Sequence, residues 1–114
     1  MNFLVHGVIR TGGKFHTRKV GEYWNYDEAV AVAKQHIDDF LYREYQRAVW
    51  HGITAKNLFL LYKRAGEAML VVPKAHKETI VLNFDHLEYA ASKCAVIFAT
   101  AAAAKAPAAA NSPV

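Results

Sequence analysis

Thr54-Ala-Lys-Asn-Leu58-Phe-Leu-Leu-Tyr62-Lys-Arg-Ala-Gly66-Glu67-Ala-Met69-Leu-Val-Val72-Pro73 is the stretch whose reading decides the fold. Taken as a hairpin, Leu58–Lys63 would pair with Met69–Val72 around Ala65-Gly66-Glu67. Taken as a helix, the first half has a start, a stripe and a stop. Thr54 is a cap, Ile53 before it can staple onto Leu58, and Leu58, Leu61, Tyr62 and Ala65 share one face. Gly66 stands where a helix-terminating glycine belongs. Three independent signals agree, so a helix is predicted. Met69–Val72 and Thr79–Leu82 are then short apolar runs, each a strand or an extended segment packed on a core.

Upstream, Phe3–Arg10 and Phe15–Trp24 read as two strands joined at Thr11-Gly12-Gly13-Lys14. A Gly-Gly pair permits the positive φ angles of a tight hairpin. A two-residue loop places Ile9 opposite His16 and Val5 opposite Val20. A helix follows, with Asn25 as cap, Glu28 completing a capping box and Trp24 as staple. Val30, Ala33, Ile37, Phe40 and Leu41 form its apolar stripe. Lys34/Asp38 and Asp39/Arg43 are opposite charges four residues apart. The helix is expected to run to near His51, where Gly52 stops it.

Downstream, Asp85 with Glu88 forms a second capping box, and Phe84 with Tyr89 a staple. Leu87, Ala90, Ala91, Cys94, Ile97, Phe98 and Ala101 are assigned to one face. This helix is expected to fade between Ala101 and Lys105, and residues 106–114 to form a disordered Ala/Pro-rich tail. The expected fold is α+β: an N-terminal β-hairpin, with room for a third short strand, packed with three helices in two layers over residues 1–105.

These segments also carry a resemblance. Thr54-Ala, the Leu58-Phe59 pair, Tyr62, Gly66-Glu67 and the closing Val72-Pro73, followed by Phe84, Asp85, Glu88, Tyr89, Ala90, Lys93 and Cys94, resemble a family of small uncharacterised bacterial proteins over residues 15–98. The chain departs from that pattern in its basic residues 10–19, where the family is usually acidic, and in Ala68-Met69, where relatives often have Asp-Pro. The resemblance implies a fold and no activity.

Composition narrows the function classes. The chain has 114 residues, a net charge of +4 with histidines neutral, and one cysteine. No intramolecular disulfide can form, which suits a reducing compartment, and a cytoplasmic location is expected. The start Met1-Asn2-Phe3 has no basic, apolar leader pattern. Cys94–Ala104, the longest mainly apolar stretch near the end, is too short to span a bilayer, so no membrane role is expected. Charge alternates in blocks. Residues 1–20 carry Arg10, Lys14, Arg18 and Lys19 without an acid, and residues 21–45 carry six acids.

Chemistry-bearing patterns are weak. No two of the six histidines are three or four residues apart, so no helical metal pair is preformed. Cys94 sits on an apolar stripe, where a thiol is inert packing, and Ser92 lies on no nucleophile elbow. Thr11-Gly12-Gly13-Lys14 lacks the spacing of a phosphate loop and precedes a strand. Asp38 and Asp39 point to different sides of a helix. No catalytic residue, cofactor or metal is assigned, and the chain is not expected to be an enzyme. Two surfaces remain. Trp50, Phe59 and Leu60 exceed what one helix face can bury and are candidates for a dimer contact. Arg10, Lys14, Phe15, Arg18 and Lys19 are candidates for contact with an anion or nucleic acid. The expected role is a non-catalytic binding or adaptor protein, homodimeric or joined to another protein; the rival is a nucleic-acid-binding module using the basic hairpin.

Overall fold

The computed structural model describes residues 2–74 and 84–110, with side chains of the last helix described to Ala102. The elements follow as β1 (Phe3–Thr11), β2 (Lys14–Tyr23), α1 (Tyr26–Ala48), a 3-10 turn (Val49–His51), α2 (Ala55–Ala65), β3 (Ala68–Pro73) and α3 (His86–Ala110). The protein is α+β. The decisive stretch is a helix followed by a strand, and the third strand anticipated in the sequence is β3. The Thr79–Leu82 run and residues 111–114 lie outside the described residues.

The sheet is antiparallel throughout, in the order β2-β1-β3, so the first strand in the chain is the central one. Gly12 and Gly13 turn the hairpin with φ of 59° and 80°, the left-handed values a two-residue turn needs. Ile9 stands opposite His16 as expected, but Val5 meets Gly21 and not Val20. A β-bulge between Val5 and His6 accounts for the slip. Val20 and Tyr23 are an odd number of residues apart, and strict alternation would send them to opposite faces. The extra residue lets both pack against the core.

The helices start where the sequence says they should. Asn25 Oδ1 accepts from the Glu28 amide at 2.8 Å, Thr54 Oγ1 from Asn57 at 3.1 Å, and Asp85 Oδ1 from Leu87 and Glu88 at 2.9 and 3.1 Å. Phe84 packs on Tyr89 with ring centres 6.2 Å apart. Trp24 does not staple α1 and stays exposed; the helix start is instead tied to β1 by Tyr26, edge-on to Phe3 at 5.7 Å. α1 ends at Ala48, and the 3-10 turn closes on Gly52 with φ 74°. α3 runs to Ala110, past the expected end, because alanine is the strongest helix former.

α1 lies across all three strands, and α3 packs on α1 and α2 and reaches β3. Ala29, Ala33, Ile37 and Leu41, four residues apart, bury the inner line of α1. They meet Val5, Met69 and Val71 from the sheet, Leu58 and Tyr62 from α2, and Ala90, Cys94 and Ile97 from α3 in one cluster. The inner stripe of α3 is narrower than expected: Leu87 and Ala91 face outward. The expected pairs Lys34/Asp38 and Asp39/Arg43 are replaced. Asp38 leaves its own helix to accept from Tyr89 of α3 at 2.6 Å, with Lys93 at 3.9 Å, and Asp39 accepts from Gln35 at 2.8 Å. Arg43 turns to Glu44 and the Phe40 ring. For Asp38 the tertiary partner wins because an exposed pair along one helix is worth only a few tenths of a kcal/mol; Asp39 and Arg43 find other neighbours within α1.

Candidate binding surfaces

Strand alternation divides the basic hairpin. In the observed register Arg10, Phe15 and Lys19 belong to the outer face of the sheet, whereas Lys14 and Arg18 have the parity of the helix-covered face. Arg18 is held by Glu67 in a bidentate pair, Nε to Oε2 at 2.5 Å and Nη2 to Oε1 at 2.7 Å. The Glu67 carboxylate lies directly over Gly7 on the central strand, in space a Cβ there would occupy. Lys19 lies 3.5 Å from Glu22. Two of the four hairpin cations are thus matched within the fold, and Arg10 and Lys14 have no acidic partner among the described residues. β2 is an edge strand among those residues, and cations along an edge also repel edge-to-edge pairing.

Sequence reasoning did not bring Lys63 and Arg64 to this place. They sit in the last turn of α2, and the chain reversal at Gly66 carries them beside the hairpin. With Val8, Arg10, Phe15 and Ala68 they line a cleft of about 200 Å³. Phe15 is 70% exposed at its edge. A larger hollow of about 600 Å³ runs along the outer side of α2 past Asn57, Leu60 and Leu61 to the same two cations. Of the residues expected at a dimer contact, Trp50 is 88% exposed and Leu60 is exposed, while Phe59 turns partly into the core with Lys63 5.7 Å over its ring.

The outer sheet face is the second surface, and the sequence reading missed it. Its positions are Leu4, His6 and Val8 on β1, Ala68, Leu70 and Val72 on β3, and Phe15, Thr17, Lys19 and Glu22 on β2. An antiparallel sheet covered on one side ordinarily turns polar residues outward. Here the outward positions of β1 and β3 are nearly all apolar, and Leu70 is 41% exposed. The available signal was the unbroken apolar run Met69-Leu-Val-Val72, the pattern of a strand buried on both faces. Glu22 closes one end of the face, accepting from Asn2 Nδ2 at 2.6 Å and Lys74 Nζ at 3.2 Å. Those two bonds, with Lys19 nearby, hold its carboxyl below the usual range.

The candidate nucleophiles and ligands stand apart from these surfaces. Cys94 is buried on α3, and desolvation pushes its thiol up to about 11. At neutral pH it carries almost no thiolate, the form that reacts. Ser92 lies on the exposed side of α3. Among the described residues no three His, Cys, Asp or Glu side chains gather as a metal would require, and no helix is long and apolar enough to cross a membrane.

One histidine does join a part-buried network. The Tyr62 hydroxyl donates to the Glu67 carbonyl at 3.1 Å, so its oxygen accepts from Nδ1–H of His86 at 3.0 Å. This bond count places a proton on Nδ1 of His86. Burial holds the His86 pKa below its ordinary 6.5, against the opposing pull of Asp85. The unfolded chain therefore takes up the proton first on acidification, and stability rises with pH through this window. Urea midpoints should fall between about pH 7.5 and about pH 5.5, and fall less in His86→Gln. Equal losses in both proteins would remove His86 as the cause.

No family model, curated protein or solved structure matches the chain.

Proposed function

We propose that this chain is a non-catalytic binding protein that works through protein–protein contact, and that its first contact is with a second copy across the outer sheet faces. The apolar outer face carries this reading. Leu4, Val8, Leu70 and Val72 form a neutral patch that a second copy can cover, and a two-fold contact demands a patch complementary to itself. The rim suits that geometry. Glu22 is flanked by Lys19 and Lys74, so part of the rim charge is offset within each copy. The raised pKa and burial of Cys94 support a role without covalent chemistry.

Sedimentation velocity at high micromolar concentration tests it. The wild type should sediment as a dimer, and Leu70→Lys as a folded monomer, because position 70 is already exposed in the single chain. A wild type that stays monomeric sinks the proposal. If Leu60→Lys separates the copies and Leu70→Lys does not, the contact belongs to the α2 surface with Trp50 and Leu60.

A further inference from the structure

We infer that the cleft between the hairpin and the end of α2 is a binding site for single-stranded nucleic acid. It adjoins the sheet-face contact and shares Val8, Ala68 and Phe15 with that face, but is distinguished by the cations at its rim. Arg10 comes from β1 and Lys63 and Arg64 from α2, more than fifty residues later in the chain, and the fold brings all three to one hollow. None has an acidic partner among the described residues, and no carboxylate is among the described lining. Lys63 and Arg64 do complement the negative end of α2, and Lys63 rests over Phe59, but neither contact cancels a full charge. Concentrated, uncancelled positive charge is the footprint of a polyanion site.

The apolar part of the site selects among polyanions. Phe15 faces Arg10 across the β1–β2 ladder and is largely exposed, and Val8 and Ala68 form an apolar floor. An unpaired base offers a flat π-face to such a ring while its phosphates reach the cations. A duplex hides those faces, and the hollow of about 200 Å³ has room for a base and not for a double helix. An acidic peptide would meet the cations and leave the ring and floor without a partner.

Fluorescence anisotropy with a labelled twenty-nucleotide RNA and its DNA counterpart, across a salt series, tests this. Binding should appear at low salt with a dissociation constant on the order of 10⁻⁴ to 10⁻⁶ M, the range of sequence-independent contact. Three phosphate contacts predict a log–log salt slope of about −2, and Lys63→Gln with Arg64→Gln should flatten it by about 1.4. Phe15→Ala and Phe15→Leu should each weaken binding by about tenfold at unchanged slope, since stacking releases no counterions. Arg18→Gln with Lys19→Gln should leave the slope as it is, because both cations are already paired. Absence of binding at low salt overturns the proposal. So does displacement of the RNA by polyglutamate of equal charge combined with no effect of either Phe15 change, which would mark a site for acidic protein segments. Tighter binding of a duplex of the same length overturns it as well.

Discussion

Tyr62→Ala loses about 3–5 kcal/mol of folding stability in urea unfolding, and Tyr62→Phe about 1–2 kcal/mol. The larger figure is a big part of the ~5–15 kcal/mol that holds a domain of this kind together. Tyr62 sits where α2, the start of β3 and the start of α3 converge. Its ring packs edge-on against Phe40 at 5.8 Å and His86 at 5.9 Å. Removing it opens a cavity at that junction which the surrounding structure fills only in part. Its hydroxyl satisfies the Glu67 carbonyl and the His86 ring, and burial drives its pKa upward. The phenylalanine variant keeps the packing and strands those two partners, which sets the smaller cost. Equal losses in the two variants would mean that the hydroxyl, and not the ring, holds the junction. A loss under about 1 kcal/mol for the alanine variant would show that the three elements repack without it.

Gly66→Ala and Gly66→Asn should each cost about 2–3 kcal/mol, with the urea slope unchanged. The two substitutions separate two reasons for a glycine at the end of α2. As a left-handed terminator it would tolerate asparagine, the next residue in preference. The backbone is instead extended, with φ −79° and ψ 160°. The obstacle is steric: a Cβ here would stand 2.7 Å from the Tyr62 carbonyl oxygen and run into the Tyr62 ring. That carbonyl accepts the Gly66 amide at 2.8 Å, so it is fixed and cannot give way. Tolerance of asparagine with intolerance of alanine would restore the terminator account.

The same residue shows where sequence reading stops. The end of α2 at Gly66 was legible, because a helix, a glycine and an apolar run follow one another within a few positions. The reason for the glycine was not, because it depends on where the Tyr62 ring goes. The hairpin behaves alike. Gly12-Gly13 fixes the turn and the pairing nearest to it, but the bulge at Val5/His6 answers to a core that must take both Val20 and Tyr23.

The binding surfaces divide along this line too. Arg10, Lys14, Phe15, Arg18 and Lys19 are close in sequence and look like one basic site. Strand alternation sends them to two faces, and Glu67 and Glu22 neutralise two of them. The cations that complete the cleft, Lys63 and Arg64, sit in another element altogether.

The sequence by itself determined the helix starts at Asn25, Thr54 and Asp85, the hairpin turn, the choice of helix for α2 and the α+β class. Each rests on backbone groups and side chains within about four residues, where covalent spacing already places the partners. Only the tertiary structure decided that β1 is central, that Asp38 joins Tyr89 and not Lys34, that Arg18 belongs to Glu67, and that one sheet face stays apolar and uncovered among the described residues. These partners are from 49 to 70 residues apart along the chain. Which of them meet is set by burying a single core at once, and no local pattern carries that information.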